Sequence, residues 1–250
     1  MQVVVDSLLI NYSMVGKGKK TVLMLHGWGD DSSTFRLLAQ RLAHEYAVIS
    51  IDLPGFGKSQ APAEVWGLGN YAHCVAEVIK KLKLNVSVLI GHSNGGAIAI
   101  IGLANGVLKA DKLVLLASAG IRNQQQGRKH FIKLLTKSGK VATFWLPERH
   151  KSRLQKKLYS SVGSDMLIAP ELQETFKKTV EQDIQREAKK ITIPTLLIYG
   201  ENDDATPTMY GEIYHQLIPN STLEIVGGAG HFVHQDKEQE VNRLIQEFLA

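Results

Sequence analysis

Short apolar runs separated by turn residues set the pattern of this chain. Residues 3–6 and 8–15 read as two short strands; the turn Gly16-Lys17-Gly18-Lys19-Lys20 follows, then a buried strand over 21–25. Residues 47–51, 86–90, 112–117, 195–199 and 222–226 carry the same short strand signature. Between them the apolar spacing changes to threes and fours. Ser32 or Ser33 can cap a helix running to about His44, and Asn70 can cap one ending near Lys83. Further helices are predicted over 95–104, after Thr206 with Pro207 in the first helical position, and from about Asp236. Strands alternating with helices predict an α/β fold, a mostly parallel sheet covered on both faces.

The alternation stops after residue 120. From 121 to 190 the apolar spacing is helical, as at Phe131, Leu134 and Leu135, and alternation resumes at 195. This predicts a core made of 1–120 and 191–250, with 121–190 inserted as a helical cap. Charge marks the same segment: 121–190 holds 16 Lys and Arg against 7 Asp and Glu, while the remainder holds 13 against 17. From Arg122 to Lys157 there are 11 basic residues and one acid, Glu148. Two readings stand: solvated helix faces that favour solubility, or a basic lid that attracts anionic substrates or an anionic surface.

The remaining composition narrows the class. A chain of 250 residues, 44% hydrophobic and 21% charged, suits one globular domain with an insertion and argues against disorder. The apolar run from Ala97 to Ile101 is too short to span a membrane, and the N-terminus shows no signal-peptide pattern. The single cysteine, Cys74, falls on a helical apolar stripe with Tyr71, Val75, Val78, Ile79 and Leu82, which makes it core filler rather than a nucleophile. Without an internal disulfide or a signal peptide, a reducing, cytoplasmic compartment is expected. No metal cluster or phosphate-binding glycine loop stands out, so neither cofactor nor metal is expected, and no nucleic-acid partner.

The candidate chemistry starts at Gly91-His92-Ser93-Asn94-Gly95, which matches G-x-S-x-G. A strand precedes it and a small, apolar helix start follows, the setting in which a serine is exposed on a sharp turn. A serine hydroxyl needs a base, and the partners of this motif follow in the order Ser, acid, His. Two histidines follow the last predicted strand. His231, in Gly227-Gly228-Ala229-Gly230-His231, can reach over the sheet edge; His234 reads as structural. The acid comes from the loop Gly200-Glu201-Asn202-Asp203-Asp204, because the other strand between them ends without a carboxylate. Two backbone N–H groups are candidates for an oxyanion hole: Asn94, at a helix N-terminus, and Trp28, in the loop His26-Gly27-Trp28-Gly29. The Trp28 indole can also wall an acyl pocket. Asp52 precedes Ser93 and reads as fixing its own loop.

Together, His26-Gly27-Trp28-Gly29, Asp52-Leu53-Pro54-Gly55-Phe56-Gly57-Lys58-Ser59, Gly91 to Gly96, Gly200 to Pro207 and Gly230-His231-Phe232 resemble the α/β-hydrolase fold family, in particular small serine esterases and ring-cleavage-product hydrolases. The resemblance implies a mostly parallel eight-stranded sheet, no cofactor, a variable cap, and Asp203 rather than Asp204 as the acid. It implies a serine hydrolase of small ester-like substrates, carboxylic esters or thioesters. Carbon–carbon hydrolysis of ring-cleavage products and a non-catalytic receptor on the same fold are the alternatives. Ser93 argues against the aspartate-nucleophile branches, the dehalogenases and epoxide hydrolases.

Overall fold

The computed structural model describes residues 1–122 and 170–250. Its strands are β1 (Gln2–Val5), β2 (Leu8–Val15), β3 (Lys20–Leu25), β4 (Tyr46–Ile51), β5 (Val86–His92), β6 (Lys112–Leu116), β7 (Thr195–Gly200) and β8 (Ser221–Val226). They form one sheet in the order β1-β2-β4-β3-β5-β6-β7-β8. The pairs β1–β2 and β2–β4 are antiparallel, and every later pair is parallel. The expected mostly parallel sheet of eight strands is therefore present. Its central strands are buried on both faces, as every residue of β5 and β7 shows, which explains their unbroken apolar runs.

The described helices are α1 (Arg36–Leu42), α2 (Leu68–Lys81), α3 (Asn94–Ala104), α4 (Gln173–Val180), α5 (Gln185–Ala188), α6 (Thr208–Leu217), α7 (Val233–Asp236) and α8 (Glu238–Leu249). The period-two pleat divides the core. Leu23 and Leu25 of β3 face a cluster with Tyr71 and Val78 of α2, Ile98 of α3 and Tyr214 of α6. Val22 and Met24 face the other way, onto Phe35, Leu38, Val241, Ile245 and Leu249. In α8 the residues Val241, Ile245 and Leu249 recur every fourth position and are buried, the stripe that docks a surface helix. Each such side chain contributes roughly 1.5–3 kcal/mol on burial. Cys74 is buried in α2, as its stripe predicts, and burial pushes its thiol up to about 12.

Three helix starts differ from expectation, each through a specific hydrogen bond. The helical turn Ser32–Phe35 that leads into α1 is capped by Asp31, whose carboxylate accepts from Ser33 N–H at 2.7 Å. Ser32 does not cap it; its N–H donates to Asp52 Oδ1 at 2.8 Å. Asn70 lies inside α2, not at its cap. Its Oδ1 accepts from the flanking Gly67 N–H at 2.9 Å, and Gln182 Oε1 takes the Leu68 N–H at 2.8 Å. Pro207 flanks α6 instead of opening it, and the Thr206 hydroxyl turns inward, 2.9 Å from the Ala117 carbonyl.

Most of the segment expected to be a cap, 123–169, lies outside the described residues, as does nearly all of its basic stretch. Its C-terminal part packs on the sheet domain. The Trp66 N–H donates to Thr175 Oγ1 at 3.1 Å, and a Cβ on Gly55 would run into Leu172. Among the described residues, no helix is long and apolar enough to cross a membrane.

Candidate active site

The turn from β5 into α3 is tightly constrained. Ser93 has φ 50° and ψ −117°, a conformation few non-glycine residues adopt. The strain is held by close packing of strand and helix. A Cβ on Gly91 would lie 2.5 Å from Gly96 Cα, and one on Gly95 would collide with the Leu25 carbonyl. Only glycine lets the two elements approach this far. The turn leaves Ser93 partly exposed beyond the sheet's carboxyl edge, between buried His92 and buried Asn94. Asn94 is the first residue of α3, so its N–H has no acceptor within the helix.

His231 comes from the loop after β8. The Ser93 hydroxyl lies 3.0 Å from His231 Nε2, and His231 Nδ1 lies 2.8 Å from Asp203 Oδ2. A hydroxyl donating to Nε2 requires the proton on Nδ1, which then donates to the carboxylate. The three residues form one continuous hydrogen-bonded chain.

Asp203, not Asp204, joins this chain. Its side chain is wholly buried, whereas Asp204 is exposed. Asp203 Oδ1 accepts from the N–H groups of Ala205 at 2.8 Å and Thr206 at 2.9 Å, and Thr206 Oγ1 lies 2.7 Å from Oδ2. Burial alone would raise its pKa, but the hydrogen bonds from His231 and Thr206 outweigh it and hold the carboxyl below its usual range. Thr206 is a site residue that reading the sequence missed, since a Thr before Pro reads equally well as a helix cap.

The loop after β3 approaches Ser93 directly: a Cβ on Gly27 would lie 3.1 Å from Ser93 Cβ. This brings Trp28, the next residue, beside the serine. Its indole packs edge-on against Phe56 with centroids 4.8 Å apart, and against Phe176 of α4 at 5.1 Å. Phe176 carried no signal in the sequence and Phe56 only as part of the loop 52–59; their contact with Trp28 exists only across the fold. His26 anchors the same loop. Its Nε2 accepts from Leu53 N–H at 2.8 Å and its Nδ1–H donates to the Gly27 carbonyl at 2.7 Å. Burial pulls its pKa down, so the ring is neutral, as this pairing demands. Asp52 does fix its own loop, accepting from Ser32 N–H, Lys58 N–H and Asn11 Nδ2.

Two more buried histidines flank the site. His92 Nε2–H donates to the His231 carbonyl at 3.0 Å, and His234 Nε2 lies 3.1 Å from Thr34 Oγ1. Burial, then the neighbouring histidines, drive His92 well below its ordinary pKa; burial and His231 bring His234 down to about 3. Among the described residues, no group of three or more His, Cys, Asp or Glu side chains could hold a metal ion.

Known proteins share this architecture. A hydrolase of Bacillus subtilis, YugF, is 28% identical over 250 residues, covering 93% of this chain and 90% of that protein. A Pseudomonas putida protein named 2-hydroxy-6-oxononadienedioate/2-hydroxy-6-oxononatrienedioate hydrolase 2 is 26% identical, covering 97% of this chain and 92% of its own length. The solved esterase EaEST of Exiguobacterium antarcticum superposes with a TM-score of 0.76 at 26% identity, over 99% of this chain and 98% of that one. The sequence profile of the Alpha/beta hydrolase family matches residues 22–244, and the chain belongs to that family.

Proposed function

We propose that this hydrolase cleaves a carboxylic ester or thioester of a small to medium substrate through an acyl-enzyme on Ser93. The observation that carries the reading is the hydrogen-bonded chain Ser93–His231–Asp203, at 3.0 and 2.8 Å. His231 takes the hydroxyl proton as Ser93 Oγ attacks the carbonyl carbon. The charge that develops on the carbonyl oxygen is met by the backbone N–H groups of Asn94 and Trp28. Asp203 keeps the proton on His231 Nδ1 and stabilises the imidazolium. His231 then protonates the leaving alcohol or thiol. Next it draws a proton from water, which attacks the acyl carbon and frees Ser93.

In this reading 121–190 is a cap over the site. The packing of Leu172 on Gly55 and of Phe176 on Trp28 supports it, since Trp28 follows Gly27, where a Cβ would lie 3.1 Å from Ser93 Cβ. The aromatic wall of Trp28, Phe56 and Phe176 fits an apolar acyl group. A second reading, hydrolysis of a carbon–carbon bond in a ring-cleavage product, is favoured by the likeness to the Pseudomonas putida hydrolase.

The test is a substrate panel of p-nitrophenyl esters, thioesters, lactones and vinylogous diketones, with Ser93→Ala as control. We expect burst release of p-nitrophenol, labelling of Ser93 by a fluorophosphonate, and no burst in Ser93→Ala. Turnover of the diketone with inert esters favours the second reading; labelling elsewhere, or a fully active Ser93→Ala, refutes both.

A further inference from the structure

His92 touches three loops that have to stay in register. It is the last residue of β5, directly before Ser93, and its side chain is buried. Its Nε2–H donates to the backbone carbonyl of His231 at 3.0 Å, a contact between residues 139 positions apart. The ring packs on His231 at 4.9 Å, Phe232 at 5.1 Å and His234 at 4.8 Å between centroids. Its other edge faces the loop after β3, where a Cβ on Gly27 would lie 3.0 Å from His92 Nδ1.

We propose that His92 is a positioning residue, whose Nε2–H pins the loop bearing His231 against the turn bearing Ser93. The inference rests on the Ser93–His231–Asp203 reading above. The loop from Gly227 to His231 holds three glycines, so its backbone needs external anchors. Gly228 N–H donates to Glu201 and Gly230 N–H to Asp236. These hold the approach to His231; the carbonyl of His231 itself is held by His92. Since that partner is a carbonyl, which only accepts, the proton sits on Nε2 and Nδ1 is bare.

That bare Nδ1 is buried and has no hydrogen-bond partner among the described residues. An aliphatic side chain would fill the same space without this unsatisfied acceptor, whose burial costs stability. What it could not supply is the donor to His231. Burial also keeps the ring neutral, with His234, His231 and His26 acting in the same direction. A neutral donor can hold the loop without placing a second charge beside the imidazolium that forms on His231.

The test compares His92→Met with His92→Gln, two unbranched side chains of similar length. Only Gln carries an N–H near the position of the imidazole Nε2. Wild type and both variants are assayed with the p-nitrophenyl ester that turns over best, and by the rate of fluorophosphonate labelling at Ser93, with folding checked by near-ultraviolet circular dichroism. In His92→Met, kcat and the labelling rate are expected to fall about 10- to 100-fold, the effect of displacing a reacting group by an ångström or less. KM stays within about threefold, because substrate binding is untouched. His92→Gln is expected to recover kcat to within about threefold of wild type. If His92→Met does not fold, His92→Phe, which keeps a ring but no donor, takes its place with the same expectation. A donorless variant with wild-type kcat, or a Gln variant as slow as the donorless one, overturns the proposal. If Ser93→Ala is inactive while His92→Met is unimpaired, the pin alone fails; an active Ser93→Ala removes the reading beneath it.

Discussion

Acid should unfold this protein through its buried histidines. His92 and His234 are 1% and 4% exposed, and both have pKa values lowered first by burial, His234 to about 3. In the unfolded chain each titrates near about 6.5. Above that pH both states are neutral at these positions and stability is constant. As pH falls below it, the unfolded chain binds protons that the native protein refuses. Stability is therefore present above the unfolded pKa and is lost as pH falls toward the folded one. Each proton difference changes stability by about 1.4 kcal/mol per pH unit. By pH 5.5 an unfolded histidine is roughly 90% protonated, so the two together should cost about 2.5 kcal/mol between pH 5.5 and 4.5. His26, fully buried and also lowered mainly by burial, adds in the same direction. Against a typical reserve of about 5–15 kcal/mol, that loss brings unfolding within reach near pH 4 to 5. The depressed carboxyls of Asp203 and Asp52 act in acid too, but their stabilisation is lost below their unfolded pKa of about 4, outside this window. Urea unfolding at pH 7, 5.5 and 4.5 measures the slope. His234→Gln should lower it by about 1.2–1.4 kcal/mol per pH unit, the share of one histidine. A stability that changes by less than about 1 kcal/mol across the window, or a slope unaltered in His234→Gln, would refute the reasoning.

Asp203→Asn should cost up to about ten-thousandfold in kcat/KM, because an amide no longer holds the proton on His231 Nδ1. Asp204→Asn, on an exposed side chain, should stay within about tenfold; steady-state kinetics of the two purified variants, with reversed outcomes, would place the acid one residue later. Gly95→Ala should destabilise the fold by about 2 kcal/mol or more, since its methyl meets the Leu25 backbone carbonyl rather than a movable side chain. Thermal unfolding checks this, and an unchanged Tm would mean the turn between β5 and α3 can relax.

Local pattern made much of this protein legible. Strands buried on both faces must be apolar throughout, so β3, β5, β6 and β7 announced themselves as short runs, and their alternation with helices implied a parallel sheet. The turn at Ser93 was legible for a similar reason: a strained serine between closely packed elements admits only small neighbours, which leaves a local signature at Gly91, Gly95 and Gly96. His231 was narrowed by order along the chain. Where the chain meets itself across long separations, that signature vanished. Asp203 and Asp204 are chemically alike and adjacent; the fold buries one against His231 and leaves the other exposed. Thr206 was read as a cap because its partners, Asp203 and the Ala117 carbonyl, meet only in the folded chain. Asp31, not Ser32, caps the turn into α1, while Asp52 and Gln182, distant in sequence, take the N–H groups of Ser32 and Leu68. The hydrogen bond from His92 to the carbonyl of His231 leaves no trace in composition or spacing. Periodicity records which face of an element is buried; which polar group meets which depends on how those faces close over one another.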